Sequence, residues 1–106
     1  MADPAWLQEL FATLDPVQVK RMFGGQGVFH EGLMIALVAD EQIYLKTDSE
    51  SQHSFEALGL EPFRYQKGNK LVALSYFQAP EALYEDPEEA RPWCPSAWQA
   101  AVRSHN

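Results

Sequence analysis

Arg21-Met22-Phe23-Gly24-Gly25, continuing as Gln26-Gly27-Val28-Phe29-His30, is the stretch on which the fold turns. Val19 to Phe23 has the residue types of a strand, and Gly24-Gly25 is a turn signal. A phosphate-cradling loop would also place glycines here. Such a loop needs backbone N–H groups opening into a helix, with Gly-Lys-Ser/Thr in the motif. Val28-Phe29-His30 instead continues as a strand, so the glycines are read as a hairpin turn with close backbone packing. Alternation puts Met22 and Phe23 on opposite sheet faces and Arg21 on the face of Phe23.

Working outward, a second turn falls at Glu31-Gly32. Leu33 to Ala39 is then continuously apolar, as expected of a strand covered on both faces. Asp40-Glu41 makes a tight reversal into Gln42–Thr47, where Ile43 and Leu45 alternate with Tyr44 and Lys46. Connections this short imply antiparallel neighbours. Phe63 to Gln66 and Leu71 to Phe77 form another hairpin around Lys67-Gly68-Asn69-Lys70.

Helices flank these strands. Asp3-Pro4 is a cap followed by proline, and Leu7, Leu10, Phe11 and Leu14 share one helical face before Asp15-Pro16 ends it. Ser49 to Gln52 has capping-box spacing, which predicts a short helix burying Phe55 and Leu58 and closed by Gly59. Pro80 opens a turn through Leu83, Asp86-Pro87 starts another, and Trp98, Ala101 and Val102 stripe a last helix hemmed in by Pro92 and Pro95.

The 106 residues suit one hydrophobic core, and residues 1–106 are read as a single α+β domain. Eight basic against fifteen acidic residues give a net charge of −7. That balance argues against direct nucleic acid binding, because phosphate neutralisation supplies most of such affinity. Cys94 is the single cysteine, so no internal disulfide forms, and no signal peptide or membrane span is visible. A cytoplasmic location follows by exclusion.

No catalytic set emerges. Cys94 lies between Trp93 and Pro95, and no spacing pairs it with His30, His53 or His105. The histidines are isolated, so neither a metal nor a cofactor is expected. The acidic run from Glu85 to Glu89 reads as a solvated first turn. Phe23, Phe29, Phe63, Tyr65, Tyr76 and Phe77 all fall on strands, with Arg21 and Arg64 the only strand-located arginines.

The order of these segments resembles the N-terminal domain of the TfoX/Sxy family, bacterial regulators linked to competence for DNA uptake. The matching residues run from Arg21 to Phe29, then through Met34–Val38, Ile43–Asp48, Phe55, Glu61–Tyr65, Leu74–Phe77, Pro80, Asp86-Pro87 and Pro92-Trp93. The resemblance implies a two-layer α+β fold, an antiparallel sheet with helices on one side, similar to type III secretion chaperones. It brings no catalytic residue, metal or cofactor. It also implies a second, C-terminal helical domain in full-length members, so this chain is read as a stand-alone N-terminal domain. Cys94-Pro95 interrupts a stretch that the resemblance implies to be smoothly helical.

The leading functional expectation is a non-enzymatic regulatory or protein-interaction module offering a sheet face or edge to a protein partner. The alternative is a small-ligand-binding module, with an aromatic-lined groove near Arg21, Phe23, Tyr44 and Tyr76 holding a modest anion or metabolite. A homodimer is compatible with either, since sheet edges need protection.

Overall fold

Asp3 caps the first helix as its sequence implies, its carboxylate accepting from the Ala5 N–H at 3.0 Å, with Pro4 in the first turn. The computed structural model describes residues 3–22 and 24–105, so the expectations placed on Phe23 lie outside the described residues. Helix α1 (Pro4–Leu10) is shorter than its apolar face suggests. The residue before a proline is disfavoured in helical geometry, and Asp15 is extended. The chain approaches Pro16 through a tighter turn at Ala12–Leu14, where the Leu14 N–H donates to the Phe11 carbonyl at 2.9 Å.

Six strands follow: β1 (Gln18–Met22), β2 (Gly25–His30), β3 (Leu33–Ala39), β4 (Gln42–Lys46), β5 (Pro62–Lys67) and β6 (Lys70–Gln78). They form one antiparallel sheet in the order β1-β2-β3-β4-β6-β5. Two-residue turns set the β2–β3 and β3–β4 registers. Both central residues have positive φ in each: Glu31 at 48° with Gly32 at 83°, and Asp40 at 50° with Glu41 at 63°. This is the mirror-image turn whose twist matches that of the strands.

The remaining helices are α2 (Gln52–Ala57), α3 (Ala82–Glu85) and α4 (Cys94–His105). They and α1 bury Leu7, Leu10, Phe11, Phe55, Leu83, Cys94 and Ala97 in one cluster with Val28, Ala36, Val38, Ile43, Leu45 and Phe77 of the sheet. Registered pairing places Val28, Ala36, Leu45 and Phe77 in one row across four strands, so all four helices cover the same face. The two-layer α+β arrangement expected from sequence is the one observed.

A β-bulge makes β3 do double duty. Val28 pairs with Ala36 and Phe29 with Met34, so Ile35 is the extra residue and shifts the alternation. Ile35, Ala36 and Val38 all enter the helix-side core, while Leu37, also buried, faces the other way. The apolar run of this strand is thereby buried on both faces.

Three local expectations are corrected. Leu58 is 58% exposed, because α2 ends at Ala57 and only Phe55 reaches the core, against Phe77 and Trp93. The start of α2 is organised by Asp48 and Ser51 rather than by Ser49. The Asp48 carboxylate accepts from the N–H groups of Glu50 and Ser51, and the Ser51 hydroxyl accepts from the Asp48 N–H. Cys94-Pro95 does not interrupt α4 but begins it, since a proline in the first turn removes an N–H that has no intrahelical acceptor.

Candidate functional site

The sheet face turned away from the helices is apolar and carries a cleft of about 360 Å³. Its lining comes entirely from strands: Met22 of β1, Gly25 of β2, Met34, Leu37, Val38 and Ala39 of β3, Phe63 and Tyr65 of β5, and Leu74 of β6. In a flat sheet β1 and β5 would stand about 24 Å apart, five spacings of ~4.8 Å. Residues of both edge strands line one cleft, so the sheet is curled with this face concave. The Tyr76 hydroxyl donates to the Met34 carbonyl at 3.2 Å, reaching from β6 across β4 to β3, as such curvature requires.

The glycines of the deciding stretch now acquire separate roles. Gly24, at φ 74°, belongs to the turn between β1 and β2. Gly25 and Gly27 lie on β2 with no side chain above the cleft floor. A Cβ on Gly25 would collide with the Val38 carbonyl, and one on Gly27 would lie 2.6 Å from the Met22 sulfur and 2.9 Å from that of Met34. Glycine lets strands and methionine side chains close over this point.

Of the four residues expected to form a groove, the structure brings two together. Tyr44 and Tyr76 are both on the concave face, because Tyr44 pairs with Gln78 and Lys46 with Tyr76. The Tyr44 ring meets Phe63 edge-on at 5.1 Å between centroids. Arg21 is on the other side. It pairs with Gln26, which pairs with the core residue Val38, so Arg21 lies exposed on the helix-side face of an edge strand. Phe23, the fourth, falls outside the described residues. Alternation along β1 does not say which face of the strand meets the helices; the pairing of Arg21 through Gln26 to Val38 decides it.

The electrostatics of the concave face are set by lysines. Lys20 lies over the Phe29 ring at 4.8 Å and Lys46 over the Tyr76 ring at 5.0 Å. The Lys46 ammonium also donates to the Ser75 hydroxyl at 2.6 Å, and burial lowers its pKa. Burial pushes the Tyr76 hydroxyl up to about 12 and also raises Tyr44, with Asp40 adding to the latter, so both stay neutral donors at physiological pH. Among the described residues, the cleft wall has no convergent polar groups of the kind that fix a small ligand or polarise a substrate.

Elsewhere the titratable groups serve structure. Cys94 is buried, its thiol raised by burial and directed at the Leu10 carbonyl at 3.6 Å. The His30 ring contacts the Pro16 carbonyl at 2.9 Å and meets Trp98 edge-on. Arg103, near the end of α4, forks onto both oxygens of Asp48 and reaches Glu50 at 3.0 Å, tying the last helix to the β4–α2 loop. No group of three or more potential metal ligands occurs among the described residues. No helix among them is long and apolar enough to cross a membrane.

Sequence reasoning assigned Tyr44 and Tyr76 to a groove on this face, but neither lines the cleft, and it missed Met22, Met34, Leu37, Phe63, Tyr65 and Leu74, which do. One signal was present: Val72, Leu74 and Tyr76 alternate along β6, all half-buried, and point away from the helices with Tyr76.

A curled antiparallel sheet, with helices on its convex side and an apolar cleft on its concave side, defines an α+β module. The chain belongs to the TfoX N-terminal domain family, whose model matches residues 9–101. Among individual proteins it is similar to the DNA transformation protein TfoX1 of Aliivibrio fischeri, 35% identical over 68 residues. That match covers 64% of this chain and 32% of the relative, so the chain spans about a third of that protein's length.

Proposed function

We propose that this chain is a non-catalytic regulatory module that acts by binding a protein partner through the concave face of its sheet, in the control of DNA transformation. The observation that carries this reading is the cleft: apolar, strand-built and left bare by every helix among the described residues. A concave apolar cleft of this kind is a common form of binding site. The name of the relative supplies the process, and the absence of convergent polar groups in the cleft favours contact over chemistry.

Gene deletion followed by complementation tests the reading. Wild-type protein restores transformation frequency, and Leu74→Glu, which puts a charge into the cleft, does not. Full complementation by a folded Leu74→Glu protein would overturn the reading. The small-ligand alternative uses the same cleft, but its lining suits an apolar chain better than an anion. A thermal-shift screen of fatty acids and small anions separates the two, because a ligand far above its dissociation constant stabilises by a few kcal/mol, of order RT ln(1 + [L]/Kd).

A further inference from the structure

The charges of this protein are sorted by secondary structure. All fifteen acidic residues lie outside the six strands, whereas Lys20, Arg21, Lys46, Arg64, Lys67 and Lys70, six of the eight basic residues, lie on them. Register assigns four of these to the concave face. Lys20 pairs with Gly27 and Lys46 with Tyr76. Lys67 pairs with Lys70, two residues beyond the Tyr65–Val72 pair on the same face. The negative charge therefore resides in the helices and loops, which hold all fifteen acidic residues and only Arg91 and Arg103 of the basic ones, and the concave face is locally cationic around an apolar centre. Asp40 lies beside Tyr44 at the β3–β4 turn, and Asp48, near Lys46, is committed to Arg103.

Building on the protein-contact reading above, we propose that the occupant of this face is an acidic amphipathic helix. Its apolar side chains fill the cleft between Met22, Met34, Leu37 and Leu74, and its carboxylates meet Lys20, Lys46, Lys67 and Lys70. A concave sheet suits a cylinder, and helices already cover the opposite face of the central strands. Methionine-lined surface adapts to different apolar side chains. Complementary charge steers the encounter and rejects basic helices.

Single-stranded nucleic acid is the competing polyanion. It binds such faces by stacking bases on free aromatic rings. Here lysines already cover the Phe29 and Tyr76 rings, the Tyr76 hydroxyl is spent on Met34, and the cleft is largely aliphatic. A helix uses each of these features as it stands.

The test is a titration of the labelled chain, followed by backbone and methyl NMR. The probes are a designed helix of about 16 residues, roughly 24 Å long, with leucines at i, i+3, i+4 and i+7 and glutamates elsewhere; the same peptide with lysines for glutamates; and a single-stranded thymidine oligomer. The acidic peptide is expected to bind saturably, with shifts confined to the cleft residues and an affinity that falls with salt. The basic peptide is expected to bind at least about tenfold more weakly. Gly27→Val, which pushes the Met22 and Met34 side chains out of place in the cleft, abolishes binding. If that variant does not fold, exposed Lys67→Glu with Lys70→Glu still reports, by losing affinity for the acidic peptide. Equal binding of both peptides, no binding, preferential binding of the oligomer, or occupation of the face by a second copy of the chain overturns the proposal. The outcomes separate from those of the functional reading. If Leu74→Glu abolishes transformation while the acidic peptide fails to bind, the partner has another chemistry. If the peptide binds but Leu74→Glu complements fully, the face has its ligand class and the regulatory reading falls.

Discussion

The sulfur atoms of Met22 and Met34, on strands two apart in the sheet, close over Gly27 on the strand between them, each within 3 Å of where a Cβ would stand. The apolar centre of the concave face exists because residue 27 has no side chain.

Glycine substitutions should therefore rank by what they strike. Gly25→Ala meets the Val38 carbonyl, backbone that cannot step aside, and should cost about 2–3 kcal/mol, toward the upper end for overpacking. Gly27→Ala meets the flexible ends of methionines and should cost about 1 kcal/mol or less. Urea unfolding of the two variants checks the order, and a costlier Gly27→Ala would contradict it.

The β3–β4 turn offers a gain. Asp40 and Glu41 both hold positive φ, where a residue with a Cβ is strained by about 1–2 kcal/mol. Replacing the pair by Asn-Gly should stabilise the protein by about 1 kcal/mol, which raises the melting temperature of a domain this size by about 4 °C or more. Differential scanning calorimetry reads the shift directly.

Asp48 makes stability depend on pH. Its hydrogen bonds from Arg103, aided by those at Ser51, hold its carboxyl well below the usual aspartate value of 3.8. A folded-state pKa below the unfolded one means that the contribution is present above that value and is lost progressively as pH falls beneath it. Its side chain is 12% exposed against 38% for Arg103, so part of the pair is screened by solvent. Arg103→Ala should be less stable than wild type at pH 7, and the difference should shrink below about pH 4 as the unfolded carboxyl protonates. Parallel denaturant titrations at the two pH values test this.

Cys94 should behave as a core residue. Its thiol is buried and its pKa is raised above 9.0, so the native protein should resist iodoacetamide at neutral pH and react on unfolding. Here the sign runs the other way. The neutral thiol is favoured by the fold, so this contribution is present below the ordinary thiol pKa and declines as pH rises above it. Rapid labelling of the native state, followed by mass spectrometry, would contradict the burial.

The elements themselves were legible in the chain. Turn pairs at Glu31-Gly32 and Asp40-Glu41, the cap at Asp3 and the hairpin around Gly68 each act through local backbone geometry, which a sequence displays directly. The shortfalls came where neighbours intervene. Leu58 satisfied a helical period, yet α2 stops before it. Ser49 had the spacing for a cap, but Asp48, held by an arginine 55 residues away, took the role. Arg21 appeared beside the aromatic groove, and pairing put it on the opposite face.

By itself the sequence determined the antiparallel sheet, the helical layer and the family, because periodicity, turns and caps depend on residues close along the chain. Only the tertiary structure decided that the sheet curls, that Gly25 lines the cleft while Met22 and Met34 close over Gly27, and that cations gather on one face of an acidic protein. Those properties depend on strand order and register, which bring together residues as distant as Met22 and Leu74, and no local pattern encodes that meeting.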